Sequence, residues 1–356
     1  MIVNSQKKID FFKKYFNKKK YVCVDTEFER KKTYFSKLSI ITISDGKKFF
    51  IFDILENPEI IEIIRDLFKS KKLLKIVHGG SQDIEIFLNH KINIEPFFDT
   101  QIASGFLGID KNISYANLVK KFFKKQIDKT HQNMNWLKRP IIKSQINYLK
   151  KDVIYLKQIY DLQIKILKKF KKLKFANEEF TFLVKNIKNN KGINSKFRKK
   201  LGFQICNLKE FFIFLSIRES KGKIENLPKN WILKDEDIIT MIKTRKIEIL
   251  KKNKYFSNLE KGKLAKLLKK IFKIKIKKQN NEIEIKCLEF FRYLVSKKYT
   301  IDANLIASKY DLTDYKNIKS KSKWRKRIYF DVFEKIIRGK KNFILNNFKS
   351  SSQKLH

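Results

Sequence analysis

The run Tyr21-Val22-Cys23-Val24-Asp25-Thr26-Glu27-Phe28-Glu29-Arg30 restricts the fold more than any other stretch of this chain. Four apolar, β-branched or aromatic residues read as a strand entering a core, and the strand then ends in acid. Side chains at i and i+2 of a strand share a face, so Asp25 and Glu27 point together and Thr26 points away. Two adjacent carboxylates repel unless water, a proton or a cation stands between them. A divalent metal resolves that repulsion, because Mg²⁺ takes oxygen ligands and is held by one or two carboxylates. For an isolated Asp-x-Glu, a strand end whose acids face solvent explains as much, so the rest of the chain has to decide.

Around that strand the patterns describe a mixed α/β domain. Leu38 to Ser44 and Lys48 to Ile54 read as two further strands with Asp45-Gly46 as a tight hairpin turn. Apolar residues at helical spacing follow (Ile60, Ile61, Ile64, Leu67, Phe68), then a short strand over Leu73 to Val77. Ser81 is the expected N-cap of a helix over Gln82 to Asn89, and Asp99 that of a helix through Leu107. Another helix is expected from Tyr115 to Lys124, and a long one from Lys143 to about Lys171. The order β-β-β-α-β-α-α-α completes the sheet core by about residue 170. Beyond it the pattern turns helical, with lysine-rich faces and apolar stripes. The expected domains are 1–170, 205–275 and 280–350, with Lys277 to Asn281 as a linker.

The balance of 83 Lys+Arg against 36 Asp+Glu gives a formal charge of +47, which draws polyanions and nucleic acid in particular. Lysine, isoleucine, asparagine and phenylalanine are all abundant, so part of that charge is compositional drift. Cys23, Cys206 and Cys287 are far apart, without C-x-x-C spacing or neighbouring histidines. That excludes a disulfide framework and a structural zinc site, and fits a reducing cytosol. The first residues do not read as a signal peptide, and the run Phe211 to Ile217 is too short to span a bilayer. A soluble, cytoplasmic, monomeric protein with no membrane partner is the expectation.

Two more acidic positions complete a pattern. Asp83 lies in the first turn of a helix that follows a strand, where the helix dipole favours a carboxylate. Tyr148 and Asp152 are spaced i and i+4 on the long helix and share a face. Each has an ordinary structural explanation by itself. Together, D-x-E on a strand, Asp at a later helix start and Y-x-x-x-D on a third segment resemble the DEDD exonuclease superfamily, with Tyr148 marking its DEDDy branch. Flanking runs sharpen the likeness to ribonuclease D: Asp25 to Arg30 with Thr33-Tyr34, Val77-His78-Gly79-Gly80-Ser81-Gln82-Asp83-Ile84-Glu85, Asp99-Thr100-Gln101-Ile102-Ala103, Asp128-Lys129-Thr130, Trp136-Leu137-Lys138-Arg139-Pro140 and Tyr148 to Leu156. Leu208 to Leu268, with Leu227-Pro228-Lys229-Asn230-Trp231, is similar to the helical (HRDC-type) domain shared by RecQ-type helicases and ribonuclease D. The last unit, with Trp324-Arg325, resembles a diverged second copy. Ser36, Thr42 and Asn135 depart from the family pattern, and none is one of the five catalytic positions.

The resemblance implies an RNase H-like exonuclease domain followed by two small all-α domains. It also implies a metal-dependent 3′→5′ exoribonuclease that trims structured RNA precursors, tRNA above all, and releases nucleoside 5′-monophosphates. Asp25, Glu27, Asp83 and Asp152 would hold two Mg²⁺ or Mn²⁺ ions, and Tyr148 would hold the attacking water in line. Phe28 is a candidate for packing on the terminal nucleotide or for the core. Lys129 and Arg139 either neutralise phosphates or brace the polar loop that carries them. His78 reads as structural, since four carboxylates already satisfy two hard ions. Trp231 and Trp324 read as small-domain core. A DNA exonuclease and an inactive RNA-binding protein are the alternatives.

Overall fold

The computed structural model describes residues 1–127, 134–188, 197, 200–274, 282–313 and 322–340. Lys129 and the linker expected at Lys277 to Asn281 lie outside these. Two compact units emerge: residues 1–29, 38–189 and 285–356, and residues 30–37 with 190–284.

The first unit is built on a five-stranded sheet of order β3-β2-β1-β4-β5, with β1 Tyr21–Glu29 at its centre. β2 (Lys37–Ser44) and β3 (Phe49–Asp53) pair antiparallel across the expected Asp45-Gly46 turn. There Gly46 takes φ +85°, a conformation L side chains rarely adopt. β4 (Leu74–Val77) and β5 (Phe97–Asp99) run parallel to β1. Three parallel strands therefore end on one edge, which gathers Asp25, Glu27, the 78–83 segment and Asp99 there. The sheet carries one strand more than the sequence pattern indicates. Phe97-Phe98-Asp99 is too short to display a period, yet its register against Lys75–Val77 makes it a strand.

Alternation along β1 decides what each face meets. Val22 and Val24 join the main core, whereas Cys23 packs with Ile76, Val153 and Leu156. The helices carrying Val153 and Leu156 thus cover the face that also bears Asp25 and Glu27. The helix foreseen over 143–171 is two helices, α6 (Lys143–Ile154) and α7 (Leu156–Lys169). A hydroxyl causes the break: Tyr115 Oη accepts from Tyr155 N and donates to Lys151 O, each at 3.1 Å. Those two backbone groups would otherwise bond each other in an unbroken helix. Preceding these are α1 (Gln6–Phe16), α2 (Ile61–Phe68), α3 (Ser81–Asn89), α4 (Thr100–Phe106) and α5 (Tyr115–Phe123). Helix α1, unforeseen among its lysines, buries Phe12 and Phe16 against Phe50 and Phe52, each side chain contributing roughly 2 kcal/mol.

Residues 285–313 and 322–333, read from sequence as part of a separate module, share the main core. Trp324 is buried, as expected, with its ring 4.9 Å from that of Phe106 and 5.9 Å from that of Phe175. Phe175 and Glu179 lie on α8 (Leu173–Lys188). Glu179 accepts from Trp324 Nε1 at 3.0 Å and pairs with Arg325 at 2.7 Å. Lys172 Nζ bonds Phe106 O and Thr300 O, each at 2.9 Å. A third self-contained core is not what these contacts describe, because the last helices lean on the sheet-bearing unit for their apolar partners.

The second unit has its own core, with Phe211, Phe214, Ile232, Met241, Leu264 and Leu268 at its centre. Its main helices are Lys209–Ile224, Asp235–Thr244 and Asn258–Phe272. Buried Arg218 donates to Leu233 O and to Asp235 Oδ1 at 2.6 Å, which ties the first helix to the second. Trp231, expected in this core, is 52% exposed instead.

Candidate active site

Asp25 and Glu27 share the face of β1 that α6 covers, and Asp152 precedes the packing residue Val153. One carboxylate oxygen from each of Asp25, Glu27 and Asp152 lies within 4.8 Å of the other two. Among the described residues this trio is the one acidic group of that compactness. The three keep partial access to solvent, yet protein surrounds them closely. Burial, then the charges of Asp152, Glu27 and Asp83, raise the Asp25 carboxyl well above the usual range. Burial, with Asp152 and Asp83 beside it, pushes Glu27 up to about 9. Burial also raises Asp152 to about 6, against the opposing bond from Tyr148.

Asp83 does not join the trio. Its carboxylate accepts from the Thr26 hydroxyl, and Thr26 alternates with Asp25 and Glu27 along the strand. It is half-buried, its carboxyl raised to about 6 by desolvation while the Thr26 bond holds it down. Its negative charge nonetheless reaches Asp25 and Glu27. Helix α3, carrying Asp83, begins one residue earlier than expected, with Gly80 rather than Ser81 in the cap position. The turn is held from another strand: Asp99 accepts from Gly79 N at 3.0 Å and from Gly80 N at 2.9 Å. The same carboxylate caps α4 through Gln101 N and Ile102 N, the capping role expected for it.

Tyr148 bonds Asp152, and its ring lies 5.7 Å from that of buried Trp136. Desolvation and then the surrounding carboxylates raise its phenol well above the ordinary value. A cleft of about 330 Å³ opens here, lined by Asp25, Tyr148, Asp152, His78, Gln101 and Tyr115 among others. His78 is held at both ring nitrogens, by Thr100 Oγ1 at 2.9 Å and Ile113 O at 3.0 Å, which fits its structural reading. Phe28 is half-buried and packs against the main core.

Arg139 is placed as a brace. Its guanidinium bonds Asp53 Oδ1 at 2.6 Å, Ser39 Oγ at 3.0 Å and the Trp136 and Lys138 carbonyls. Replacing it with alanine removes the charged partner of Asp53, which keeps only the Leu55 and Glu56 amides, and one of two donors to Trp136 O. Arg139→Ala is expected to lose about 2 kcal/mol in urea unfolding while RNA affinity stays near the parent's. A variant of unchanged stability and weakened RNA binding would restore the phosphate role. Sequence reasoning passed over Thr26, Asp99 as a tie for the Gly79-Gly80 turn, Tyr115 as the helix-breaking hydroxyl, and Trp136 as the buttress of Tyr148. Asp99, Tyr115 and Trp136 stood inside elements or motifs already noted, but their partners are distant in sequence.

All the donors in the trio are hard carboxylate oxygens, and their mutual repulsion is relieved by a divalent cation, so the site fits such an ion. The first 168 residues match a family model described as 3′-5′ exonuclease. A Ribonuclease D of Bartonella henselae is 28% identical over 363 residues, covering 94% of this chain and 89% of its own. A Ribonuclease D of Shewanella sp. (strain ANA-3) is 29% identical over 224 residues, and there the chain spans 58% of the relative's length. The crystal structure of Escherichia coli RNase D superposes with a TM-score of 0.74 at 19% identity, covering 96% of this chain and 99% of that one. Over most of its length the chain is thus similar to proteins named Ribonuclease D, and it shares the fold of the Escherichia coli enzyme.

Proposed function

We propose that this chain trims the 3′ ends of structured RNA precursors, tRNA above all, in the cytoplasm and as a monomer, releasing nucleoside 5′-monophosphates. The observation that carries the reading is the Asp25–Glu27–Asp152 trio with Tyr148 bonded to Asp152, beside an open cleft that Asp25, Tyr148 and Asp152 line. Asp25, Glu27 and Asp152 are the residues that would hold Mg²⁺ or Mn²⁺, with Asp83 adding charge for a second ion. When bound, such ions lower the pKa of water and offset the charge that builds at phosphorus. Tyr148 keeps its proton at neutral pH and so acts as a hydrogen-bond donor that orients the attacking water, not as the base. Trp136 fixes the phenol's direction from behind.

The helical segment 205–275, read as HRDC-type, supplies the grip on RNA through backbone and shape contacts, with exposed Trp231 offering a stacking surface. Residues 280–350 are proposed as a diverged copy of the same motif, of which the described residues 285–313 and 322–333 share the main core. No helix among the described residues is long and apolar enough to cross a membrane.

Parallel digestion of 3′-extended tRNA and matched single-stranded DNA, each with Mn²⁺ and with EDTA, tests this directly. Shortening of the tRNA from its 3′ end, dependent on Mn²⁺, is the expected result. DNA lost while RNA survives would make it a DNA exonuclease, and no shortening of either would leave an RNA-binding protein.

A further inference from the structure

The cleft that Asp25, Tyr148 and Asp152 line also has polar lining that the hydrolytic chemistry leaves unused, with Gln101 and Gly79 in it. All of these residues lie within the sheet-bearing unit. A buried carboxylate holds this lining from beneath. Asp99, at the end of β5, accepts from Gly79 N at 3.0 Å, from Gly80 N at 2.9 Å and from Gln101 N at 2.8 Å. The Gln101 side chain is fixed at a second point, where its Nε2 donates to Ile113 O at 3.0 Å. A carbonyl only accepts, so that bond decides which end of the amide is which and leaves Oε1 as the outward acceptor. Gly79 supplies the bed on which the amide rests. It takes φ +63°, and a Cβ built there would stand 3.2 Å from Gln101 Oε1 and 3.4 Å from Cδ and Nε2. A residue without a side chain lets the amide lie this close to the backbone. Among the described residues no donor bonds Gln101 Oε1, yet the atom keeps its contact with solvent.

A held acceptor in the same cleft as the acids selects for a donor on whatever lies there. On a nucleic acid strand the phosphate oxygens and the sugar ring oxygen only accept. The donors that a nucleotide within the strand offers are its 2′-hydroxyl and groups on its base. Bases change from position to position, whereas the hydroxyl is present on every ribonucleotide and absent from DNA. We propose that Gln101 is a specificity residue: its Oε1 accepts from the ribose 2′-hydroxyl of a nucleotide seated in the cleft, which lets the site tell RNA from DNA. The proposal rests on the exoribonuclease reading above. It gives that reading a ground for choosing RNA, which the carboxylates cannot supply because the phosphodiester they act on is common to both polymers.

The experiment uses the full-length parent, Gln101→Met and Gln101→Asn with Mn²⁺ on an RNA hairpin bearing a 3′ oligouridylate tail. Uridine keeps exocyclic amines out of the comparison. The same hairpin is made with 2′-deoxyuridine at the last or at the next-to-last position, and the rate of the first cleavage is read. In the parent, the deoxy substitution at one of these positions is expected to slow cleavage about tenfold, the worth of one hydrogen bond. Gln101→Met keeps the length of the side chain without its amide. It should cut the all-ribose tail about tenfold more slowly than the parent and the deoxy tail at the parent's deoxy rate, so that the two tails become equal. Gln101→Asn, whose amide is one methylene short, should retain part of the difference. The ratio of the two rates is internal to each protein, so a fraction that fails to fold cancels from it. Should Gln101→Met be wholly inactive, Gln101→Asn carries the comparison, and an undiminished ratio there overturns the proposal. A Gln101→Met variant that discriminates as the parent does also overturns it, since the amide would then only brace the Ile113 segment. So does a parent that cuts all the tails equally, which would remain a nuclease. A parent that cuts none of them refutes the exoribonuclease reading instead, an outcome visible before any variant is made.

Discussion

Asp25→Asn is expected to lower turnover on RNA by about 10³-fold or more, because it removes a charged oxygen ligand from the centre of the trio. RNA affinity should hold or tighten slightly, since phosphate contacts made elsewhere dominate binding and one negative charge has left the cleft. The same substitution should make the metal-free protein more stable. Asp25 sits among Asp152, Glu27 and Asp83, all of which raise its carboxyl, so neutralising it relieves repulsion that the fold otherwise tolerates. In EDTA near pH 8 the variant should melt a few degrees above the parent. Adding Mn²⁺ should stabilise the parent and do little for the variant. Normal turnover would remove Asp25 from the site. Lower melting in EDTA would mean that the residue braces the fold rather than bearing metal.

Stability against pH gives the second large effect. A carboxyl whose folded pKa exceeds its unfolded value holds its proton more tightly in the native state. The stability it contributes is full below the unfolded value, roughly 4, and is lost as pH rises through the folded one. The folded values are about 6 for Asp83 and Asp152 and about 9 for Glu27, with Asp25 also displaced upward. Metal-free protein should therefore lose stability as pH rises from about 4 to 9. In the range from pH 6.5 to 8 the displaced acids are Asp25 and Glu27, opposed by the Met1 amino group, which burial lowers. Below it His78 and His90, lowered by burial, act in the opposite sense, as do Lys75 and Lys172 above their folded values of about 8. Saturating Mn²⁺ at a hundred times its dissociation constant adds about 2.7 kcal/mol, and thus several degrees of melting temperature at pH 8. The gain should shrink at pH 6.5, where protons compete for the same oxygens. A melting temperature that does not fall between these two values in EDTA, or an equal Mn²⁺ shift at both, would contradict the four-acid electrostatics.

Much of this site is visible in local sequence because its chemistry is imposed by periodicity. Asp25 and Glu27 share a face through strand alternation, and Tyr148 and Asp152 through helical spacing. The core face of β1 follows from the same alternation. What escaped local reading depends on groups that are distant in sequence. The break at Tyr155 needs the hydroxyl of Tyr115, forty residues earlier. Arg139 resembles a phosphate ligand until Asp53 and Ser39 arrive beside it. Asp83 looks equivalent to the other three acids, but Thr26, on the opposite face of the strand, takes one of its oxygens. Helix α1 was missed for another reason: its exposed lysines mask the Phe12 and Phe16 stripe, whose partners lie on β3. The two tryptophans had equal standing as core residues, and only the presence of Phe106 and Phe175 against Trp324 separates them.

The shared core of residues 285–313 and 322–333 bears on how the protein is made. Synthesis delivers every acidic group and Tyr148 by residue 152, yet the aromatic cover over Phe106 and Phe175 arrives only with Trp324. A nascent chain stalled between those points exposes an unfinished apolar face while already bearing the whole acidic cluster.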